Sequence, residues 1–320
     1  MKGRVLITGA NGFIGKALCN RMMNENWHVR GAIRSMHAKT EIPSIADILK
    51  IKLIGPDTDW SEALAGTNCV VHLAGRVHKN RDVGSDSLSL FRRVNVEGTR
   101  RLAQMASLAN IRRFVYMSSV KVNGEGRLTP YTEEDIQDPL DPYGISKWEA
   151  EKALNQISEE TGMDTVIIRS PLVYGPHVKA NFLRLLNMVY RGIPLPVARI
   201  KNRRSLIYVE NLVDAIVTCI DKPGASGQKY FVSDGEDVST PELIRRISAA
   251  IGRPARLFPF PLFMLKIAGC ISDRSVEIDR LLESLMVDSS KIRRELDWHA
   301  PFSMDQGLKE TAKWYLKKDI

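Results

Sequence analysis

The strongest constraint on this fold is a glycine turn near the N-terminus, Thr8-Gly9-Ala10-Asn11-Gly12-Phe13-Ile14-Gly15. It lies between an apolar run over Arg4–Thr8 and a helical pattern that begins at Phe13. Three residues without a Cβ at this spacing let the chain reverse tightly, let helix pack on strand, and let a pyrophosphate approach the backbone. The helix N-terminus then offers unpaired N–H donors and the positive end of its dipole. Tight turns alone also use glycine, but this strand-turn-helix setting predicts a dinucleotide site over Gly9, Asn11, Gly12, Phe13, Ile14 and Gly15.

Further apolar runs at 28–33, 51–54, 68–73, 113–118 and 165–169 read as strands, with helical spacing at 13–26, 90–109 and 143–161. Their apolarity is mostly continuous, as expected of strands covered on both faces. Strand-helix alternation of this kind predicts an α/β Rossmann fold, a doubly wound parallel sheet. Beyond Pro176 the pattern shifts to helices at 181–191, 209–221, 241–251 and 304–317, joined by short strands at 205–209 and 229–232. A cofactor domain over 1–176 is therefore expected. Residues 177–320 should form a smaller α/β substrate domain at the carboxyl edge, with some segments returning to the sheet.

Among 320 residues, 46 Lys and Arg oppose 37 Asp and Glu, a formal charge of +9. That excess suits an anionic ligand, nucleic acid or an anionic membrane surface. No basic run is interleaved with aromatics, so nucleic acid is not expected. The four cysteines, Cys19, Cys69, Cys219 and Cys270, are scattered without metal-ligand spacing or scaffold density, which predicts a reducing compartment and no metal. The stretch 257–270 is broken by Pro259, Pro261 and Lys266, too short to span a bilayer. A cytoplasmic protein without stable membrane insertion is expected, with 258–267 read as a buried helix in preference to a membrane contact.

The end of the second strand separates the two nicotinamide cofactors. An Asp or Glu there accepts hydrogen bonds from the NAD ribose. This chain has Arg34 instead, whose guanidinium can clamp a 2′-phosphate. NADP(H) is favoured over NAD(H), the alternative being an ordinary exposed arginine.

Tyr143 and Lys147 stand four apart on one helical face. A free phenol ionises near ~10, and a neighbouring ammonium favours the phenolate. Such a pair can move a proton to or from a hydroxyl while hydride moves to or from nicotinamide. Ser119 closes the strand before it, 24 positions ahead of Tyr143, where a hydroxyl can orient a reacting carbonyl. Ser118 reads as structural.

Taken in order, Gly9/Gly12/Gly15, His72-Leu73-Ala74-Gly75, Val94-Asn95-Val96-Glu97-Gly98-Thr99, Ser118-Ser119, Tyr143 with Lys147, and Val173-Tyr174-Gly175-Pro176 resemble the extended short-chain dehydrogenase/reductases. The branch is the NAD-dependent epimerase/dehydratase family acting on sugar nucleotides. The likeness runs to Val287-Asp288-Ser289-Ser290-Lys291 and Leu296-Asp297-Trp298. It implies that Ser119, Tyr143 and Lys147 are catalytic, that Tyr143 and Lys147 also contact the cofactor, with Lys147 holding the nicotinamide ribose, and that Leu73, Ala74 and Gly75 line it. Asn95 would support the catalytic helix beside the cofactor. Substrate contacts to a UDP-sugar would map onto Asn181 and Arg204, with Asn123 and His78 near the sugar and Arg280 near a phosphate; His78 and Arg280 read equally well as solvated surface residues. The helices 90–109 and 143–161 would pair across a two-fold axis in a homodimer, or simply pack on the sheet.

Departures from the pattern narrow the reaction. The family's 4,6-dehydratases carry Asp-Glu directly after the catalytic Ser or Thr, whereas this chain has Val120-Lys121. Epimerases of the family usually show Val-Tyr-Gly where this chain has Val122-Asn123-Gly124. The favoured expectation is a UDP-4-keto-6-deoxy-hexosamine 4-reductase of bacterial surface-polysaccharide synthesis. A UDP-glucose or UDP-N-acetylglucosamine 4-epimerase is the alternative, and a non-catalytic NADP(H) sensor on the same fold a remote third.

Overall fold

The computed structural model describes residues 2–34, 47–77, 87–271 and 281–318. Seven parallel strands form the central sheet in the order β3-β2-β1-β4-β5-β6-β9: β1 (Arg4–Thr8), β2 (His28–Ile33), β3 (Asp47–Lys50), β4 (Cys69–His72), β5 (Arg113–Ser119), β6 (Asp164–Ser170) and β9 (Lys229–Phe231). The order reverses between β1 and β4, and open sheets of this kind bind ligands at the carboxyl ends beside such a reversal. Helix α1 (Phe13–Asn24) and α7 (Val209–Asp221) cover one face over Leu18, Met22, Leu212 and Ile216. On the other face α4 (Gly98–Leu108) and α5 (Pro142–Thr161) pack Leu102, Ala106, Ala150 and Leu154 against Leu6, Val70 and Phe114.

Helix α5 shows why the segment before Lys147 is well placed. Asp141 caps it, its carboxylate accepting from Gly144 N at 2.7 Å, and Pro142 takes the first turn where a missing N–H costs nothing. Gly162 closes it in the left-handed region at φ 71°.

Two sequence expectations need correction here. The third strand is Asp47–Lys50 and not 51–54: Asp47 pairs in register with Arg30 and accepts from its Nε at 2.6 Å, so an ion pair holds a strand that reads as polar. The helix expected at 90–109 is two helices, Ser87–Phe91 and Gly98–Leu108, joined by Arg92–Glu97 wound as a π-helix. Such insertions often mark functional sites, and this one carries Asn95.

A smaller three-stranded sheet, β10-β8-β7, joins β7 (Leu172–Tyr174), β8 (Arg204–Tyr208) and β10 (Asp237–Val238). It packs with α6 (Ala180–Tyr190), α8 (Thr240–Ile251) and the C-terminal helix Met304–Lys318 around Tyr174, Phe182, Leu243 and Leu308. The expected buried helix at 258–267 is also corrected. Helix Leu262–Ile271 leaves Phe263 66% and Ile267 54% exposed, so these large apolar side chains are not covered by the rest of the described chain. Among the described residues, no helix is long and apolar enough to cross a membrane.

Candidate active site

The glycine turn sits at the carboxyl end of β1. Gly9 has φ 70°, and its N–H donates to Ala32 O at 3.0 Å. A Cβ at Gly9 would stand 3.1 Å from Ala74 N, and one at Gly15 would stand 2.2 Å from Gly9 O. The three glycines are therefore set by close backbone approach. Gly12, the cap of α1, contributes no side-chain hydrogen bond, and the first turn of α1 holds no acidic residue. With no acid in that turn, its leading N–H groups and dipole end fit the pyrophosphate of a dinucleotide. Asn11, Phe13 and Ile14 are half-buried along this turn, and Arg34 is exposed just beyond β2.

Next to the turn, Thr8 Oγ1 lies 2.7 Å from His72 Nδ1 and accepts from Ala74 N at 3.1 Å. His72 Nε2 lies 3.0 Å from Thr99 Oγ1. Burial, with the Lys147 charge nearby, pushes the imidazole down to about 3, so it is neutral. Leu73, Ala74 and Gly75 continue from β4 along this wall.

Asn95 ties the wall to α5. Its Oδ1 accepts from Arg76 N at 2.7 Å, and its Nδ2 donates to Arg76 O at 3.1 Å and to Ser146 Oγ at 2.9 Å. Ser146 Oγ in turn donates to Tyr143 O at 2.8 Å. These bonds join the π-helix to the chain after β4 and to the first turns of α5.

Ser119, Tyr143 and Lys147 come together at the carboxyl end of β5. Ser119 and Tyr143 share a side-chain hydrogen bond, and Lys147 Nζ sits 4.3 Å from the Tyr116 ring centre and 3.9 Å from where a Gly75 Cβ would be. Burial pushes the Tyr143 phenol up to about 12, helped by the Asp141 charge and opposed by the Ser119 hydrogen bond. Burial likewise pushes Lys147 down to about 7, with the Glu151 carboxylate opposing. The expected lowering of Tyr143 by the ammonium is not found: burial and the Asp141 charge raise the phenol, and only the Ser119 hydrogen bond opposes them. A protonated phenol, a hydroxyl and an easily discharged amine at one strand end can deliver a proton to a carbonyl oxygen.

Beneath them lies a network that sequence reasoning missed. Glu151, one turn beyond Lys147, accepts from Ser118 Oγ at 2.5 Å and from Arg169 at 3.0 and 2.6 Å, with both charged side chains fully buried. Arg169 also donates to Asn123 Oδ1 at 3.1 Å. Ser118 is structural, as expected, and Asn123 is 3% exposed, its oxygen committed to Arg169. The available signal was an acid four residues after Lys147 on the buried stripe. Lys121, where dehydratases carry an acid, is ion-paired with Glu125 and Asp141.

Of the remaining positions, Asn181 is exposed in the first turn of α6. Arg204 opens β8 and donates to Glu283 O at 3.0 Å. His78 and Arg280 lie outside the described residues.

A family model for the NAD dependent epimerase/dehydratase family matches residues 5–233. The chain belongs to this family. It is 41% identical over 321 residues to a UDP-glucose 4-epimerase of Vibrio cholerae, covering 99% of this chain and 97% of that one. It is 28% identical over 337 residues to an N-acetyl-alpha-D-glucosaminyl-diphospho-ditrans,octacis-undecaprenol 4-epimerase of Escherichia coli O157:H7, covering 100% and 98%. In fold it matches the crystal structure of a Thermotoga maritima UDP-glucose 4-epimerase with UDP-glucose, at TM-score 0.80 and 20% identity over 99% of this chain and 100% of that one. A Bacillus cereus UDP-glucuronic acid 4-epimerase in complex with NAD matches at TM-score 0.79 and 22% identity, over 97% and 96%. The protein is an enzyme of this NAD(P)-dependent family, and its central sheet is the fold expected from sequence.

Proposed function

We propose that the protein is a cytoplasmic NAD(P)-dependent oxidoreductase acting at C4 of a UDP-hexose. The observation that carries this is the convergence of Ser119, Tyr143 and Lys147 beside the glycine turn, with ion-paired Lys121 standing where a dehydratase needs an acid. When bound, the cofactor supplies or accepts hydride at C4. Tyr143 gives its phenolic proton to the C4 oxygen as a keto-sugar is reduced and recovers it in the oxidising direction. Ser119 holds that oxygen toward the phenol, and the Lys147 ammonium stabilises the phenolate left behind. Asn95 and Ser146 keep the helix turn in register.

Net reduction of a UDP-4-keto-6-deoxy-hexosamine, within bacterial surface-polysaccharide synthesis, is the first reading. Arg34 at the end of β2 supports it, since a consumed reductant is typically NADPH and a guanidinium suits its 2′-phosphate. A resting phenol pushed up to about 12 is also in the protonated form that reduction uses. The second reading, a UDP-hexose 4-epimerase, is favoured by the full-length likeness to the Vibrio cholerae enzyme. Asn181 and Arg204 would contact the UDP moiety, with Arg280 near a phosphate, and Asn123 and His78 the sugar side. The chain divides functionally near 176, and the α4–α5 face would form a homodimer.

Released nucleotide distinguishes the readings. The protein is denatured, any freed cofactor identified, and the emptied enzyme titrated with NADPH and NADH. A tenfold preference for NADPH, about 1.4 kcal/mol, with turnover of a UDP-4-keto-6-deoxy-hexosamine, supports the reductase. Stoichiometric, tightly held NAD with interconversion of UDP-glucose and UDP-galactose supports the epimerase. Turnover of neither substrate class counts against both.

A further inference from the structure

We propose that the face formed by residues 253–267 docks on the surface of an anionic lipid bilayer. Two chain segments build it. Leu195 N donates to Arg256 O at 2.8 Å, Phe258 N to Leu195 O at 3.1 Å and Ala198 N to Phe258 O at 3.2 Å, so the strip after α8 runs alongside the strip after α6. The helix Leu262–Ile271 follows directly, its start marked by Met264 N donating to Pro261 O at 3.1 Å.

Large apolar side chains are left in water along this edge: Phe258 39%, Leu262 40%, Phe263 66%, Met264 44% and Ile267 54% exposed. Contiguous apolar exposure of this kind marks an interaction surface more often than chance. The two segments that build it carry basic residues only. Residues 252–271 contain Arg253, Arg256 and Lys266 and no acid, and residues 177–208 contain seven Lys or Arg and no acid. Arg191, Arg253 and Arg256 are exposed beside the apolar strip; Arg253 lies over the Tyr190 ring at 5.4 Å, and Arg256 approaches to 3.6 Å the point where a Gly192 Cβ would stand.

Apolar side chains flanked by basic ones, on a helix too short to span, are the features of a segment lying in a membrane interface. Each arginine near an anionic surface adds to the attraction, within a screening length. A second copy of the chain fits less well. A two-fold contact would set the basic residues of these two segments against their own copies. The inference rests on the surface alone and stands whichever reaction the site performs.

The test is sedimentation of the full chain with vesicles of phosphatidylcholine alone and of phosphatidylcholine with about one-third phosphatidylglycerol. Binding to the anionic vesicles should be stronger by about tenfold or more and should weaken as salt rises. Phe263→Ser with Met264→Ser should lower it about tenfold, and Arg253→Gln with Arg256→Gln should remove its salt dependence. These side chains are exposed, so unfolding temperature and solution turnover serve as folding controls. Equal partition into both vesicle types overturns the proposal, as does anionic binding undiminished in both variants. A chain that ignores vesicles and changes its oligomeric state with the serine variant overturns it too, making the face a contact between copies.

Discussion

Asn95 Nδ2 donates to Ser146 Oγ at 2.9 Å across the gap between the π-helix and α5. A single amide thereby fixes the peptide of Arg76 on one side and, through Ser146, the carbonyl of Tyr143 on the other. The chain after β4 and the start of α5 are held at a set separation by one fully buried side chain.

Replacing Asn95 should therefore disturb stability and turnover together. Asn95→Ala leaves the Arg76 N–H and O without their partner, which costs about 1–3 kcal/mol. Urea unfolding should show that loss, and kcat should fall more than KM rises. A variant with unchanged urea midpoint and unchanged kcat would show that the bridge is idle.

Lys147 makes stability depend on pH. Folded, it titrates at about 7, against 10.5 ordinarily, so the unfolded chain binds more protons between those values. The Lys147 contribution to the stability of the cofactor-free enzyme should rise with pH across that window. Lys147→Met, which buries no charge, should flatten this rise and be the more stable protein near pH 7, with the difference shrinking toward pH 10.5. Parallel pH profiles of the two proteins from thermal unfolding would contradict the buried ammonium.

Glu151 and Arg169 are a fully buried pair. Glu151→Gln or Arg169→Met alone strands a buried charge and should cost about 3–5 kcal/mol, while the double variant should lose less than the sum. A double-mutant cycle in urea measures the coupling, and an additive result would mean that the pair does not act as a unit.

Gly15→Ala should abolish dinucleotide binding, since its Cβ would lie 2.2 Å from Gly9 O and the turn must open. Calorimetric titration with NADPH and NADH checks this, and ordinary affinity for both would refute the role given to the turn.

Much of this arrangement is legible in sequence because local rules write it there. The glycine turn, the continuous apolar strands and the Asp141-Pro142 helix start are each set within a few residues. The π-helix at Arg92–Glu97 is hidden because a single added residue per turn barely disturbs an apolar stripe. β3 is missed because its charged Asp47 is paired with Arg30, 17 positions earlier. The tie from Ser118 through Glu151 and Arg169 to Asn123 joins elements far apart in the chain, so the bond of Asn123 to Arg169 is not legible in sequence. Burial also reverses the expected direction for Tyr143, since the sequence displays the lysine but not the desolvation.

The most direct test of C4 chemistry is isotopic. The enzyme is given nicotinamide cofactor deuterated at the transferable position and a UDP-4-keto-6-deoxy-hexosamine, and the product is read by NMR. Deuterium is expected at C4, with the rate reduced about 10²–10⁴-fold in a Tyr143→Phe variant that keeps its fold. Deuterium elsewhere on the sugar, or a Tyr143→Phe enzyme as fast as the parent, would contradict that expectation.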